Sequence, residues 1–156
     1  YIEMQPTLKA EPIDPIVIIS EQPLEETVSA VEIEEYVEDT LLPQEDIELI
    51  ALVTMAEAEG ECEEGKRLVI DTVLNRVDSV YFPDTVHGVI YQANQFSSMW
   101  NGRVDKCFVD DDICQLVEEE LQSRTNVDTI FFTAGGYGKY GTPMFQVGNH
   151  YFSSYE

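Results

Sequence analysis

Among the residues able to do chemistry, Glu57 stands out by its position in Met55-Ala56-Glu57-Ala58-Glu59-Gly60-Glu61. On a 3.6-residue wheel, Ile50, Val53 and Thr54 share its face, lying seven, four and three positions before it. Glu57 therefore points where a core should be. Apolar surroundings disfavour the ionised form of a carboxyl, the condition a general acid working near neutral pH requires. A structurally paired glutamate is the alternative. Glu59 and Glu61 flank Gly60, the residue type best suited to leave a helix with φ > 0, and are expected to reach water.

A second chemical stretch is Gln95-Phe96-Ser97-Ser98-Met99-Trp100-Asn101-Gly102, where aromatics, amides and hydroxyls interleave before an Asn-Gly turn. Rings pack on the flat face of a pyranose while amides bond its hydroxyls and acetamides, so the mixture suits a sugar groove. A loop packed on the core by Phe96 and Trp100 fits equally. His87 falls on a short helix and His150 on a terminal strand beside Gly148; a solvated and a satisfied structural histidine are the plain readings. Cys62, Cys107 and Cys114 lack CxxC spacing and have only two histidines to recruit, so no metal site is expected. A Cys107–Cys114 bridge across the turn before a helix is compatible with the spacing. Asp110-Asp111-Asp112 reads as a helix start, with a calcium loop as the weaker reading because the full ligand spacing is absent.

These residues must be positioned by a small set of elements. The first helix is expected over Gln44–Ala58, with Glu45 and Asp46 in its first turn and Gly60 stopping it. A second, over 63–77, buries Val69, Ile70, Val73, Leu74 and Val77. At its end Asn75 is expected to fix the exit by hydrogen bonds and Arg76 to pair with a carboxylate. Phe82-Pro83-Asp84-Thr85 forms a turn ending in an N-cap for a helix over 86–92. Another helix follows over 111–123. The last third is strand-like: Thr129-Ile130-Phe131-Phe132-Thr133, then a Gly- and Tyr-rich loop over 135–141, then an alternating segment over 145–152.

Composition divides the chain. Residues 1–44 hold eleven Asp or Glu against one Lys, and five of the seven prolines. Every Phe, Gly, Cys, His and Trp lies in 45–156, so only that part can close a core. The first segment is expected to be an acidic, Pro-containing linker or tail, partly disordered. Its β-branched run at 16–19 reads as extended linker rather than strand, and 27–38 as a short acidic helix. A net charge of −23 leaves no basic stripe to replace counterions, which excludes nucleic acid as a partner. No run approaches the roughly 18 apolar residues of a membrane span, and a first residue of Tyr leaves room for a signal or anchor removed upstream.

Six blocks in order carry a resemblance: Ala56-Glu57-Ala58-Glu59-Gly60-Glu61, Val73-Leu74-Asn75-Arg76-Val77, Phe82-Pro83-Asp84-Thr85, Gly88-Val89-Ile90-Tyr91-Gln92, Gln95-Phe96-Ser97 and Val147-Gly148-Asn149-His150-Tyr151-Phe152. Over about residues 46–153 the chain resembles the cell-wall hydrolase family typified by the catalytic domain of spore cortex-lytic enzymes (SleB-type). The resemblance implies an α+β, mainly α, lysozyme-like fold, related to goose-type lysozymes and lytic transglycosylases, with a small β element over 45–156. It also implies cleavage of peptidoglycan glycan strands after N-acetylmuramic acid, by one catalytic carboxylate at Glu57, without metal or cofactor. Gln95, Phe96 and Ser97 would line the groove, with Asn149 and His150 supporting Glu57 or touching substrate. A monomer acting outside the cell or in the wall, or a phage-encoded lytic protein, is the implied setting.

The chain departs from the family's habit in two places. Glu59 stands where Arg is common, so Glu57, Glu59, Glu61, Glu63 and Glu64 crowd together and are expected to raise one another's pKa. A spore-targeting module is not visible in 1–44. Two other readings remain at this stage: an N-acetylmuramoyl-L-alanine amidase, which usually needs a zinc that His87 and His150 are too few to hold, and a non-catalytic peptidoglycan-binding module.

Overall fold

The computed structural model of the chain describes residues 42–156. The expectations for 16–19 and 27–38, and the linker itself apart from its last three residues, lie outside the described residues. Helix α1 spans Gln44–Ala58, as the Pro43 entry and the acidic first turn predict. Its buried residues, among them Ile47, Ile50, Ala51, Val53, Met55 and Ala58, extend around most of its circumference. A helix apolar on most sides belongs in the middle of a fold. Helices α2 (Glu63–Asp78), α3 (Val86–Ile90) and α4 (Asp111–Gln122) all pack against it.

Helix α3 begins at Thr85, whose hydroxyl accepts from the Gly88 N–H at 3.0 Å, and α4 at Asp110, whose carboxylate accepts from the Asp112 and Ile113 N–H groups at 2.8 and 3.3 Å. Both are the side-chain caps expected of those residue types. Ile47, Ile50, Val53, Ile70, Val73, Val89, Ile113 and Val117 form the main core between the helices.

Strands β1 (Phe131–Ala134), β2 (Thr142–Val147) and β3 (His150–Ser154) form an antiparallel sheet ordered β1-β3-β2. The segment over 145–152 is thus the close of a hairpin, with Val147 paired to His150 across Gly148 and Asn149. Phe152, fully buried on the central strand, packs with Ala58, Leu68 and Val69. The sheet is thereby fixed against the end of α1 and the start of α2.

Two local expectations are corrected. Gly60 does not end α1 through a left-handed conformation; the positive-φ glycines are 102, 135, 136, 141 and 148, and Glu59 at the helix end is right-handed. The end is instead closed by Arg103, whose Nε donates to the Ala56 carbonyl. Cys107 and Cys114 are not bridged: all three cysteines are free thiols, and Cys107 Sγ lies against the Arg103 carbonyl.

Candidate active site

Glu57 is the penultimate residue of α1 and is half-buried, while Ile50, Val53 and Thr54 on its face are fully buried. A 3₁₀ turn at Ser97–Met99 packs on α1 beside it. From that turn the buried Ser98 donates its hydroxyl to Glu57 Oε2 at 2.5 Å. A hydroxyl donor stabilises a carboxylate and fixes its rotamer, leaving Oε1 for another partner. Ser98 was not singled out from sequence; its neighbours Gln95, Phe96 and Ser97 were, and its signal was only membership of the same polar stretch.

A cleft of about 210 Å³ opens over Glu57. Gln95, Phe96, Ser97 and His150 line it, as do Arg76 and Phe132. Four of the five expected groove residues therefore converge on Glu57. Phe96, only 2% exposed, is the floor rather than a free stacking face. The exposed ring nearby is Trp100, set edge-on against Tyr91 at 6.1 Å beside Ala93, Asn94 and Ser97. It does not pack the loop onto the core. Among the described residues Glu57 is the one carboxylate lining the cleft.

His150 is buried, its ring 4.9 Å from Phe132, and its Nδ1 has no hydrogen-bond partner among the described residues. Its neighbour Asn149 is the residue not brought to the cleft. Instead the Asn149 N–H and side-chain amide donate to Glu61 at 3.0 and 3.2 Å. Gly148, at φ 59°, lies so close that a Cβ there would overlap the Glu61 carboxylate. Glu61 is thus a clamp on the β2–β3 turn and not a solvated helix-end charge.

Four of the five crowded glutamates have separate partners, Glu57 being held by Ser98. Glu59 faces Arg103 at 3.4 Å, Glu63 pairs with Arg67 at 2.6 Å, and Glu61 holds Asn149. The expected mutual raising of pKa fails at Glu61: the Asn149 N–H holds its carboxyl below the ordinary value, with His150 and Lys66 adding to the effect. Asn75 fixes the exit of α2 as expected, donating to the Asn126 and Thr129 carbonyls at 3.1 and 2.9 Å. Among the described residues Arg76 does not meet a carboxylate. Its Nε donates to the Ile130 carbonyl at 2.8 Å and its Nη1 to Gln95 Oε1 at 2.9 Å, within reach of the Phe82, Phe96 and Phe131 rings.

His87 is exposed and stacks on Tyr91 at 4.5 Å. Among the described residues no three His, Cys, Asp or Glu side chains converge as a metal site, and no helix is long and apolar enough to cross a membrane.

Known proteins share this fold. The catalytic domain of the Bacillus cereus SleB protein superposes with a TM-score of 0.65 at 24% identity, over 73% of this chain and 93% of that one. The catalytic domain of the germination-specific lytic transglycosylase SleB from Bacillus anthracis gives 0.64, at 24% identity, over 72% and 97%. The fold is the mainly α, lysozyme-like one with a small sheet. In sequence, the spore cortex-lytic enzyme of Oceanobacillus iheyensis is 43% identical over 61 residues, 39% of this chain and 22% of that protein. Its counterpart in Bacillus subtilis is 37% identical over 59 residues, 38% and 19%. The chain thus spans about a fifth of the length of the curated relatives it matches. The cell wall hydrolase family model matches residues 60–153, beginning three residues after Glu57 and ending past His150. With more than half its length covered, the chain belongs to the cell wall hydrolase family.

Proposed function

We propose that the chain cleaves the glycan strand of peptidoglycan after N-acetylmuramic acid, as a lytic transglycosylase with Glu57 as its catalytic residue. The observation that carries this reading is the single carboxylate that the described residues bring to the cleft, held by Ser98 at 2.5 Å. Hydrolysis by the usual route uses two carboxylates, one for the leaving group and one for water or for covalent attack. A single carboxyl suffices where the substrate supplies its own nucleophile.

In the first step protonated Glu57 gives its proton to the glycosidic oxygen as the bond to the muramoyl anomeric carbon breaks. The resulting carboxylate then takes the proton of the muramoyl 6-hydroxyl, whose oxygen attacks that carbon and closes a 1,6-anhydro ring. Glu57 ends protonated and ready for another turn. Ser98 steadies the carboxylate between the steps. Gln95 has its Oε1 engaged by Arg76, so its Nε2 is the end left to donate to an acetamide carbonyl. Ser97 and His150 supply further polar contacts along the cleft. The working place would be the wall itself.

The test is digestion of purified peptidoglycan followed by mass spectrometry. Wild type should release fragments with 1,6-anhydromuramoyl ends, and Glu57→Gln should release them at least about a hundredfold more slowly while still binding strands. Reducing ends alone would require an activated water and overturn the transglycosylase mechanism. New free amino termini would mark amide cleavage and overturn the glycan reading.

A further inference from the structure

Beside the Glu57 cleft lies a larger pocket of about 480 Å³, within the range of small-ligand sites. The two share a wall made by Arg76, Gln95, Phe132 and Thr133. Tyr140, Tyr151 and Phe131 build its other sides. We propose that this pocket is a subsite for a carboxylate carried by the glycan strand, read by Arg76; the inference rests on the glycan-cleaving function proposed above.

The argument begins with a charge in an expensive place. Arg76 is 5% exposed, and no Asp or Glu pairs with it among the described residues. Burial pushes its pKa down to about 10, and no carboxylate among the described residues pairs with it to offset this, so it remains cationic at neutral pH. Two neutral oxygens, of Ile130 and Gln95, take Nε and Nη1. Nη2 has no partner among the described residues, and Arg76 lines both pockets. A buried guanidinium with one open edge is a built receptor for a planar anion, because a carboxylate would restore the missing counter-charge.

The rest of the chain sharpens the point. At a net charge of −23 the protein repels anions over most of its surface, so an anionic group needs a local cation to be held. Lys139, with its ammonium 5.0 Å from the Tyr140 ring centre, adds a second positive charge beside that wall of the pocket. On a peptidoglycan strand a carboxylate has two sources: the lactyl group of a muramic residue without its peptide, or the peptide stem. Either would bind in the same chemistry, one pocket away from Glu57.

Binding is measured by calorimetry on the Glu57→Gln protein, so that nothing is cut. Four soluble probes are used: peptide-free strands, peptide-bearing strands, and each of them with carboxyls converted to carboxamides. The expected result is at least about tenfold tighter binding of one carboxylate form over its carboxamide, and the form that shows it identifies the source. Tyr140→Glu, at an exposed wall residue, should abolish the preference for the carboxylate form. Arg76→Gln should do the same where its melting curve shows it folded, and Tyr140→Glu decides where it does not. Equal binding of carboxylate and carboxamide forms, or a preference that survives these substitutions, overturns the subsite. Cleavage by wild type without any preference removes the subsite alone; preference without cleavage removes the catalytic reading alone.

Discussion

Ser98 Oγ lies 2.5 Å from Glu57 Oε2, joining a 3₁₀ turn to the end of the central helix across 41 positions of sequence. The contact sets which carboxylate oxygen is free to face substrate. Ser98→Ala should therefore lower kcat by about tenfold or more with little change in KM, since it removes a hydrogen bond to the charged form worth about 1.5–3 kcal/mol. Steady-state rates on solubilised strands check this. A rise in KM at unchanged kcat would mean that Ser98 serves binding instead.

Glu61 holds the hairpin that carries His150 into the cleft, although Glu61 does not line the cleft. Glu61→Ala should reduce activity by loosening that turn, and Glu61→Gln should retain more, because an amide can still accept from the Asn149 N–H. The folded-state pKa of Glu61 lies below its ordinary value. Its contribution to stability is accordingly present above the unfolded pKa and lost as pH falls through the folded one. Melting temperatures from pH 7 down to pH 3 should drop more steeply for wild type than for Glu61→Gln. Parallel curves would show that the clamp carries no charge-dependent stability.

What could be read from sequence was what local physics decides. The start of α1 follows from Pro43, Glu45 and Asp46, and the caps at Thr85 and Asp110 from single side chains acting within three residues. That Glu57 shares a face with Ile50, Val53 and Thr54 follows from wheel geometry alone. Apart from the conformation of Gly60 and the Cys107–Cys114 bridge, the misreadings are long-range. Glu61 meets Asn149 across 88 positions, and Arg76 meets Ile130 across 54; no pattern within either helix signals those partners. The many carboxylates of the chain make one the expected partner of Arg76, whereas the fold delivers carbonyl oxygens and rings to it. Asn149 sat in a block with His150, yet in a two-residue turn neighbouring side chains part, one toward Glu61 and the other into the cleft.

Residues 42–156 contain a core of their own, with Ile50, Val53, Ile70, Val73, Val89 and Val117 fully buried. We propose the domain boundary at residue 44, and expect a fragment beginning at 42 to melt within a few degrees of the whole chain. Differential scanning calorimetry of the two decides it. A much larger fall would place part of the preceding acidic segment within the cooperative unit.

A buried acid pair links α2 to α4 and sets a pH dependence separate from catalysis. Burial pushes Asp71 up to about 8, helped by its hydrogen bond with Glu120. Burial also pushes Glu120 up, but hydrogen bonds from Asp71, Arg67 and Thr125 outweigh it and leave its pKa lowered. Arg67 anchors Glu120 at 2.8 Å, and the Asn126 N–H donates to Asp71 Oδ2 at 2.9 Å, so the proton belongs on Oδ1, the atom without another partner. Asp71 keeps this proton in the fold but loses it near its ordinary value when unfolded. Between those two pH values the native state binds more protons, so this group makes stability fall as pH rises, by at most about 1.4 kcal/mol per pH unit. Asp71→Asn keeps the shape, donates to Glu120 through its amide and accepts from Asn126 through its oxygen, without titrating. Urea unfolding at pH 5, 6, 7 and 8 should show wild type losing stability relative to Asp71→Asn across the series, with the variant gaining its largest relative advantage at pH 8. A constant difference between the two proteins would mean that Asp71 is ionised throughout, its charge offset by the nearby Arg124 guanidinium.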